Sequence, residues 1–118
     1  RVSVKSPPDY TQSDLVAVTP ADLKEIGVEM QKIFRQLEAF GGPTIIEMQT
    51  VRIERLNNYW ALVIPYIRAG VNEPSVWQVT QYHIPVSNRL IEITLSNRQS
   101  DAIIWHPILE RVKHSVKF

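Results

Sequence analysis

The ten residues from Tyr59 to Arg68 are apolar on both alternating sets: Trp60, Leu62, Ile64 and Tyr66 on one, Tyr59, Ala61, Val63 and Ile67 on the other. Successive side chains of an extended chain point to opposite faces, so a strand of this kind needs cover on both. It belongs in the middle of a sheet with structure packed above and below.

The segments around it fit that requirement. From Thr44 to Leu95 the period is two and Val, Ile, Thr, Tyr and Trp dominate, which predicts a run of four antiparallel strands. The first is Thr44 to Arg55, where the apolar set shifts parity between Ile46/Met48 and Val51/Ile53, as at a bulge or bend. Leu56-Asn57-Asn58 predicts a tight turn into Tyr59 to Arg68. Ala69 to Ser75 reads as an exposed loop, Val76 to Ile84 as the third strand and Pro85 to Arg89 as a connection. Ile91, Ile93 and Leu95 then fall on one side of the last strand, before a polar break over Ser96 to Asp101 that can cap a helix.

Two helices flank this run. Thr19 as N-cap, Pro20 at the first helical position and Asp22 at the positive end of the dipole start one. Leu23, Ile26, Gly27, Met30, Ile33, Phe34, Leu37 and Phe40 make its stripe, and Gly41-Gly42-Pro43 stops it. The other carries Ile104, Ile108, Leu109 and Val112 at helical spacing, with Pro107 either kinking it or opening its main body. Ahead of the first helix, Val2 and Val4 start a strand interrupted at Pro7-Pro8, and Leu15 to Val18 reads as a second short strand. The expected order is ββαββββα, an α+β fold in which a central antiparallel sheet is flanked by two helices as an α/β/α sandwich. At 118 residues this is one domain, spanning 1–118.

Thirteen Lys and Arg oppose twelve Asp and Glu, so the net charge of +1 supplies no global field toward nucleic acid. No cysteine is present, which removes disulfides, thiolate nucleophiles and zinc–cysteine sites together. No apolar run approaches the ~20 residues of a membrane-spanning helix. The chain opens at Arg1 already reading as a strand and without an initiator methionine, as a processed product would. A periplasmic or secreted location with a removed signal peptide fits, and a cytoplasmic one stays open.

The opening Val2-Ser3-Val4-Lys5-Ser6-Pro7, the hinge at Gly41-Gly42-Pro43, the hairpin around Asn57-Asn58, and a last strand joined to a Trp105-containing helix ending in Ser115-Val116-Lys117-Phe118 form a pattern. It resembles the PsbP-like/DcrB-like family, whose fold is shared by the extrinsic PsbP protein of photosystem II, a Ran-binding nuclear transport factor and small bacterial lipoproteins. The likeness spans nearly the whole chain and is carried by structural motifs. It implies the sandwich fold and a non-catalytic accessory role, and it carries over no functional residue.

Of the three histidines, His106 and His114 bracket Glu110 at four-residue steps, so on an unbroken helix the three would share a face and offer nitrogen and oxygen ligands to a metal. Against that reading, Pro107 distorts the first turn, and a solvated polar helix face explains the same residues. His83 sits in a strand and reads as a cross-strand or surface residue. Trp60, Trp77 and Tyr82 interleave with arginines in the strand region as a stacking platform would, although large strand aromatics ordinarily fill a core; exposed near the 69–75 loop, they would mark a partner surface. No serine sits in a nucleophile elbow, and the glycines are too sparse for a phosphate loop.

These readings converge on a non-catalytic binding or accessory domain, with no cofactor, that acts through a protein partner or a small apolar ligand. A metal-binding protein or small metal enzyme using His106, Glu110 and His114 is the alternative from another class. A structural subunit of a larger assembly is the third.

Overall fold

The computed structural model describes residues 1–5 and 9–115, with the backbone alone at positions 4 and 5. The fold is α+β: a six-stranded antiparallel sheet and three helices among the described residues. The strands are β1 (Val2–Lys5), β2 (Ile45–Met48), β3 (Arg52–Leu56), β4 (Tyr59–Ala69), β5 (Val76–Val86) and β6 (Arg89–Arg98). Helices α1 (Gln12–Ala17) and α2 (Pro20–Ala39) lie between β1 and β2, and a single 3-10 turn, Gln99–Asp101, leads into α3 (Ala102–Ser115). Across the sheet the order is β1-β6-β5-β4-β2, with β3 also pairing on β4.

β4 is the buried strand its composition demands, with every residue from Ala61 to Ile67 removed from solvent. Its two side-chain sets enter different clusters. Leu62, Ile64 and Tyr66 pack with Val79, with Leu15 of α1 and with Phe34 of α2, and Leu23, Ile26 and Met30 pack beside them. Ala61 and Val63 join Leu56, Tyr82, Ile84, Ile91 and Ile93 in the other cluster. α3 reaches that second side, where the Lys113 ammonium lies 5.4 Å from the Tyr82 ring centroid.

The element order differs from the expected one at Leu15 to Val18, which is helical. Thr11 and Asp14 close a capping box, Thr11 N–H donating to Asp14 Oδ2 at 2.8 Å and Asp14 N–H to Thr11 Oγ1 at 3.3 Å. Two orphan donors of a helix start are thereby satisfied, and Leu15 turns into the core. The chain therefore reads βααβββββα. α2 begins as its sequence predicts, with Thr19 and Asp22 in a second capping box and Pro20 in the first turn. It ends in a Schellman motif: Gly42 N–H donates to Leu37 O at 2.8 Å and Gly41 N–H to Glu38 O at 3.1 Å, with Gly41 at φ 88°. A Cβ on Gly42 would lie 2.7 Å from that Leu37 oxygen, so this close approach needs glycine.

The parity shift expected within Thr44 to Arg55 is a full break into β2 and β3. Opposite the break stands Pro65, whose carbonyl accepts from Gln49 N–H at 3.0 Å. A strand residue's N–H and C=O point to the same side, so the proline's absent donor falls where the neighbouring strand is interrupted. Asn57-Asn58 makes the tight β3–β4 turn, Asn57 taking φ 54°. Pro85 to Arg89 is no open connection: β5 runs to Val86, β6 starts at Arg89, and Ser87 takes φ 55° in the turn between. β6 also continues to Arg98, through part of the expected polar break.

α3 passes through Pro107 without ending there. Of the expected stripe Ile108 and Leu109 are half-buried, whereas Ile104 and Val112 are exposed and Lys113 is buried in their place. The stripe of α2 is core only in its first part. Ile33, Leu37 and Phe40 stay exposed, because the edge strand at that end, β2, is just four residues long. Pro7-Pro8 and the Val116-Lys117-Phe118 ending lie outside the described residues. Among the described residues no helix is long and apolar enough to cross a membrane.

Candidate functional site

The metal candidates on α3 are brought together in part. Glu110 Oε2 lies 3.8 Å from His114 Nε2, and Glu54 of β3 joins them, the ligand atoms of Glu54, Glu110 and His114 all within 4.8 Å of one another. His106 is exposed one turn earlier and contributes no ligand atom to this group. In its midst sits Lys113, 2% exposed, with Nζ 2.7 Å from Glu54 Oε1 and 2.7 Å from Glu110 Oε2. Two carboxylates that could hold a cation thus already share an ammonium. Burial pushes the lysine pKa down, but the hydrogen bonds its ammonium donates to Glu110 and Glu54 outweigh it and the net shift is upward. The Lys113 hydrogen bond holds the Glu110 carboxyl below its usual range. This ammonium ties α3 to β3 beside the Tyr82 ring. Desolvation raises the Tyr82 phenol. Sequence reading passed over Glu54 and Lys113; the one local signal is that Lys113 follows Leu109 by a helical turn, on the inward line.

Of the aromatic candidates, Tyr82 is core, 3% exposed. Trp60 is half-buried with the Arg55 guanidinium 5.7 Å from its ring centroid. Trp77 stands between its cross-strand neighbours Arg68 and Arg98, at 5.3 and 5.7 Å, and donates Nε1–H to Glu73 Oε1 at 2.6 Å in the loop after β4. The protein's own arginines therefore flank this indole. His83 pairs across the ladder with Glu92, Nδ1 to Oε1 3.3 Å, while Nε2 lies 3.1 Å from Gln81 Oε1. Gln81 Nε2 in turn donates to the Tyr66 hydroxyl at 3.0 Å. This polar row lies on the Trp77 and Val79 side of β5, next to Tyr10, whose phenol burial and the Glu92 charge push up to about 12.

Open space gathers where α2 crosses the sheet edge. A groove of about 460 Å³ runs between α2 and the β2–β3 break, lined by Leu23, Gly27, Val28, Met48 and Val51, with Lys24 the single charged residue. A second, of about 410 Å³, shares Pro20 and Leu23 with it and continues past Leu15, Ile53 and Trp60. Gly27 lines the first without a side chain, and a Cβ there would meet Val51 Cγ2 at 3.5 Å, an ordinary contact. The strand break that opens this groove is written in the parity shift at Met48 and Val51. At the far corner a third cavity, about 300 Å³, lies between Trp77, the end of β6 and the start of α3.

Comparison with protein-family models, with curated proteins and with solved structures finds no match to this chain.

Proposed function

We propose that this chain is a non-catalytic binding or accessory domain, an α/β/α sandwich of the PsbP-like/DcrB-like kind, that works in the bacterial envelope or outside the cell. The groove between α2 and the β2–β3 break carries the reading. It is mainly apolar, open, of ligand size and shares Pro20 and Leu23 with a neighbouring cavity, which fits a small apolar ligand entering beside Lys24. Native mass spectrometry of the protein isolated from envelope extracts, with a parallel pull-down, tests it. A retained apolar ligand, or a partner lost on Val28→Glu, is the expected result; a bare mass with no specific partner overturns the proposal.

A second reading, a subunit of a larger assembly, is favoured by the exposed row Ile33, Leu37 and Phe40, the last 91% exposed. It predicts a dimer or larger species by light scattering that Phe40→Ser returns to a monomer. The metal reading has a higher barrier, since an ion at Glu54, Glu110 and His114 must displace the Lys113 ammonium. Zinc titration by calorimetry with no heat at micromolar metal removes it.

A further inference from the structure

One flank of α2 forms the helix side of the groove. Pro20, Lys24, Gly27 and Gln31 follow one another at steps of four, three and four residues, so they stack along a single line of the helix, and all four lie on the lining. That line covers three helical turns, about 16 Å, which makes the groove an elongated slot. Leu23, Ile26, Met30 and Phe34 run beside it into the cluster over β4. Met48 and Val51 belong to the same cluster, so helix flank and strand break face each other on one side of the sheet. Lys24 lines the slot and is exposed, as an alkyl stem along the wall with its ammonium in water would be.

The charge of the lining selects among apolar ligands. Among the described residues no acidic side chain lines this groove or the neighbouring cavity. The cation of the neighbouring cavity, Arg52, already has Glu54 at 3.3 Å. Lys24 differs: the residues three and four positions away on its helix are Pro20, Ala21, Gly27 and Val28, and among the described residues no carboxylate pairs with its ammonium. An anionic head at this point meets an uncompensated positive charge, a cationic head is repelled, and a neutral head gains nothing from it. The slot shape suits a linear chain rather than a compact ring, and about 460 Å³ lies within the range of small-molecule sites. We infer, building on the ligand-binding reading above, that the groove takes a fatty-acid anion, its hydrocarbon chain along Leu23, Val28, Met48 and Val51 and its carboxylate on Lys24.

Isothermal calorimetry of the full chain tests this with decanoate, decanol and decyltrimethylammonium, three heads on chains of equal length, each below its micellar concentration. The measurement is made at about pH 8, where a carboxylic acid is ionised. Decanoate is expected to bind tightest, about three- to fivefold above decanol, and the cation weakest. Lys24→Gln should remove the preference and leave decanol binding as it was, whereas Lys24→Glu should reverse the order in favour of the cation. Lys24 is exposed, and circular dichroism checks that both variants fold. Decanol or the cation binding the native chain as tightly as decanoate overturns the inference and leaves the apolar groove standing. So does a preference for decanoate that survives Lys24→Glu in a folded protein. Binding of none of the three, or binding that Val28→Glu leaves intact, overturns the groove reading and the inference with it.

Discussion

Gln12 supplies rungs that the ladder between β4 and β5 cannot. The register ends at Leu62 opposite His83, and continuing it would set Trp60 against Pro85, which has no N–H to give. The Gln12 amide fills in, accepting from Trp60 N–H at 2.7 Å and donating to Trp60 O at 2.9 Å and Pro85 O at 2.8 Å. Gln12→Ala leaves one donor and two acceptors unpaired in a half-buried place, and urea unfolding should show a loss of about 2 kcal/mol. Gln12→Glu keeps the acceptor for Trp60 N–H but sets a carboxylate oxygen against the Trp60 and Pro85 carbonyls, so it should lose at least as much. Lys113 makes the second residue-scale test. Glu110, held below its ordinary value of 4.5, contributes stability that is full above that value and lost as pH falls through its folded value. Lys113, held above 10.5, contributes stability that is full below that value and lost as pH rises through its folded value. Stability against pH should therefore be a plateau with two falling flanks. Lys113→Met should cost about 1–3 kcal/mol on the plateau, the partly exposed glutamates keeping it below a fully buried pair, and should flatten the acid flank, since the ammonium that holds the Glu110 carboxyl down is gone. Neither role was legible in the sequence, because each depends on atoms brought together across tens of residues.

At the scale of elements, legibility followed how local the cause is. α2 shows both its ends because cap, proline and stopping glycines lie within a turn of the boundary. The β3–β4 turn shows itself for the same reason. α1 was missed even though Thr11-x-x-Asp14 is a capping-box spacing, since six residues carry too little periodicity to outweigh the apolar cluster at Leu15 and Val16. The inward line of α3 includes Lys113, which no apolar periodicity marks, because its burial depends on Glu54, 59 residues away in sequence. Gly27 offers the element-scale prediction. It sits inside α2 without a positive φ, and an added Cβ meets Val51 Cγ2 at 3.5 Å, an ordinary contact. Gly27→Ala should thus stabilise the protein by about 0.5–1 kcal/mol in thermal or urea unfolding, through the lower backbone entropy of the unfolded chain.

For the molecule as a whole, the doubly apolar strand at Tyr59 to Arg68 announced a sheet covered on both sides, and β4 is buried throughout its centre. What the sequence left hidden is where cover runs out. Hydrophobic periodicity marks the apolar stripe of α2 from Leu23 to Phe40 as one surface, but tertiary structure divides it: a first part over β4, a groove at the strand break, and an exposed end. That division makes a binding domain the reading with most support, since a helix held off the sheet edge leaves apolar volume for an occupant. Fluorescence titration with the neutral apolar probe N-phenyl-1-naphthylamine addresses the claim directly, comparing the native chain with Val28→Glu, whose carboxylate stands at the groove wall. The account predicts saturable enhancement for the native chain, displaced by an added apolar ligand and lost in the variant; no enhancement, or equal enhancement in both proteins, would contradict it.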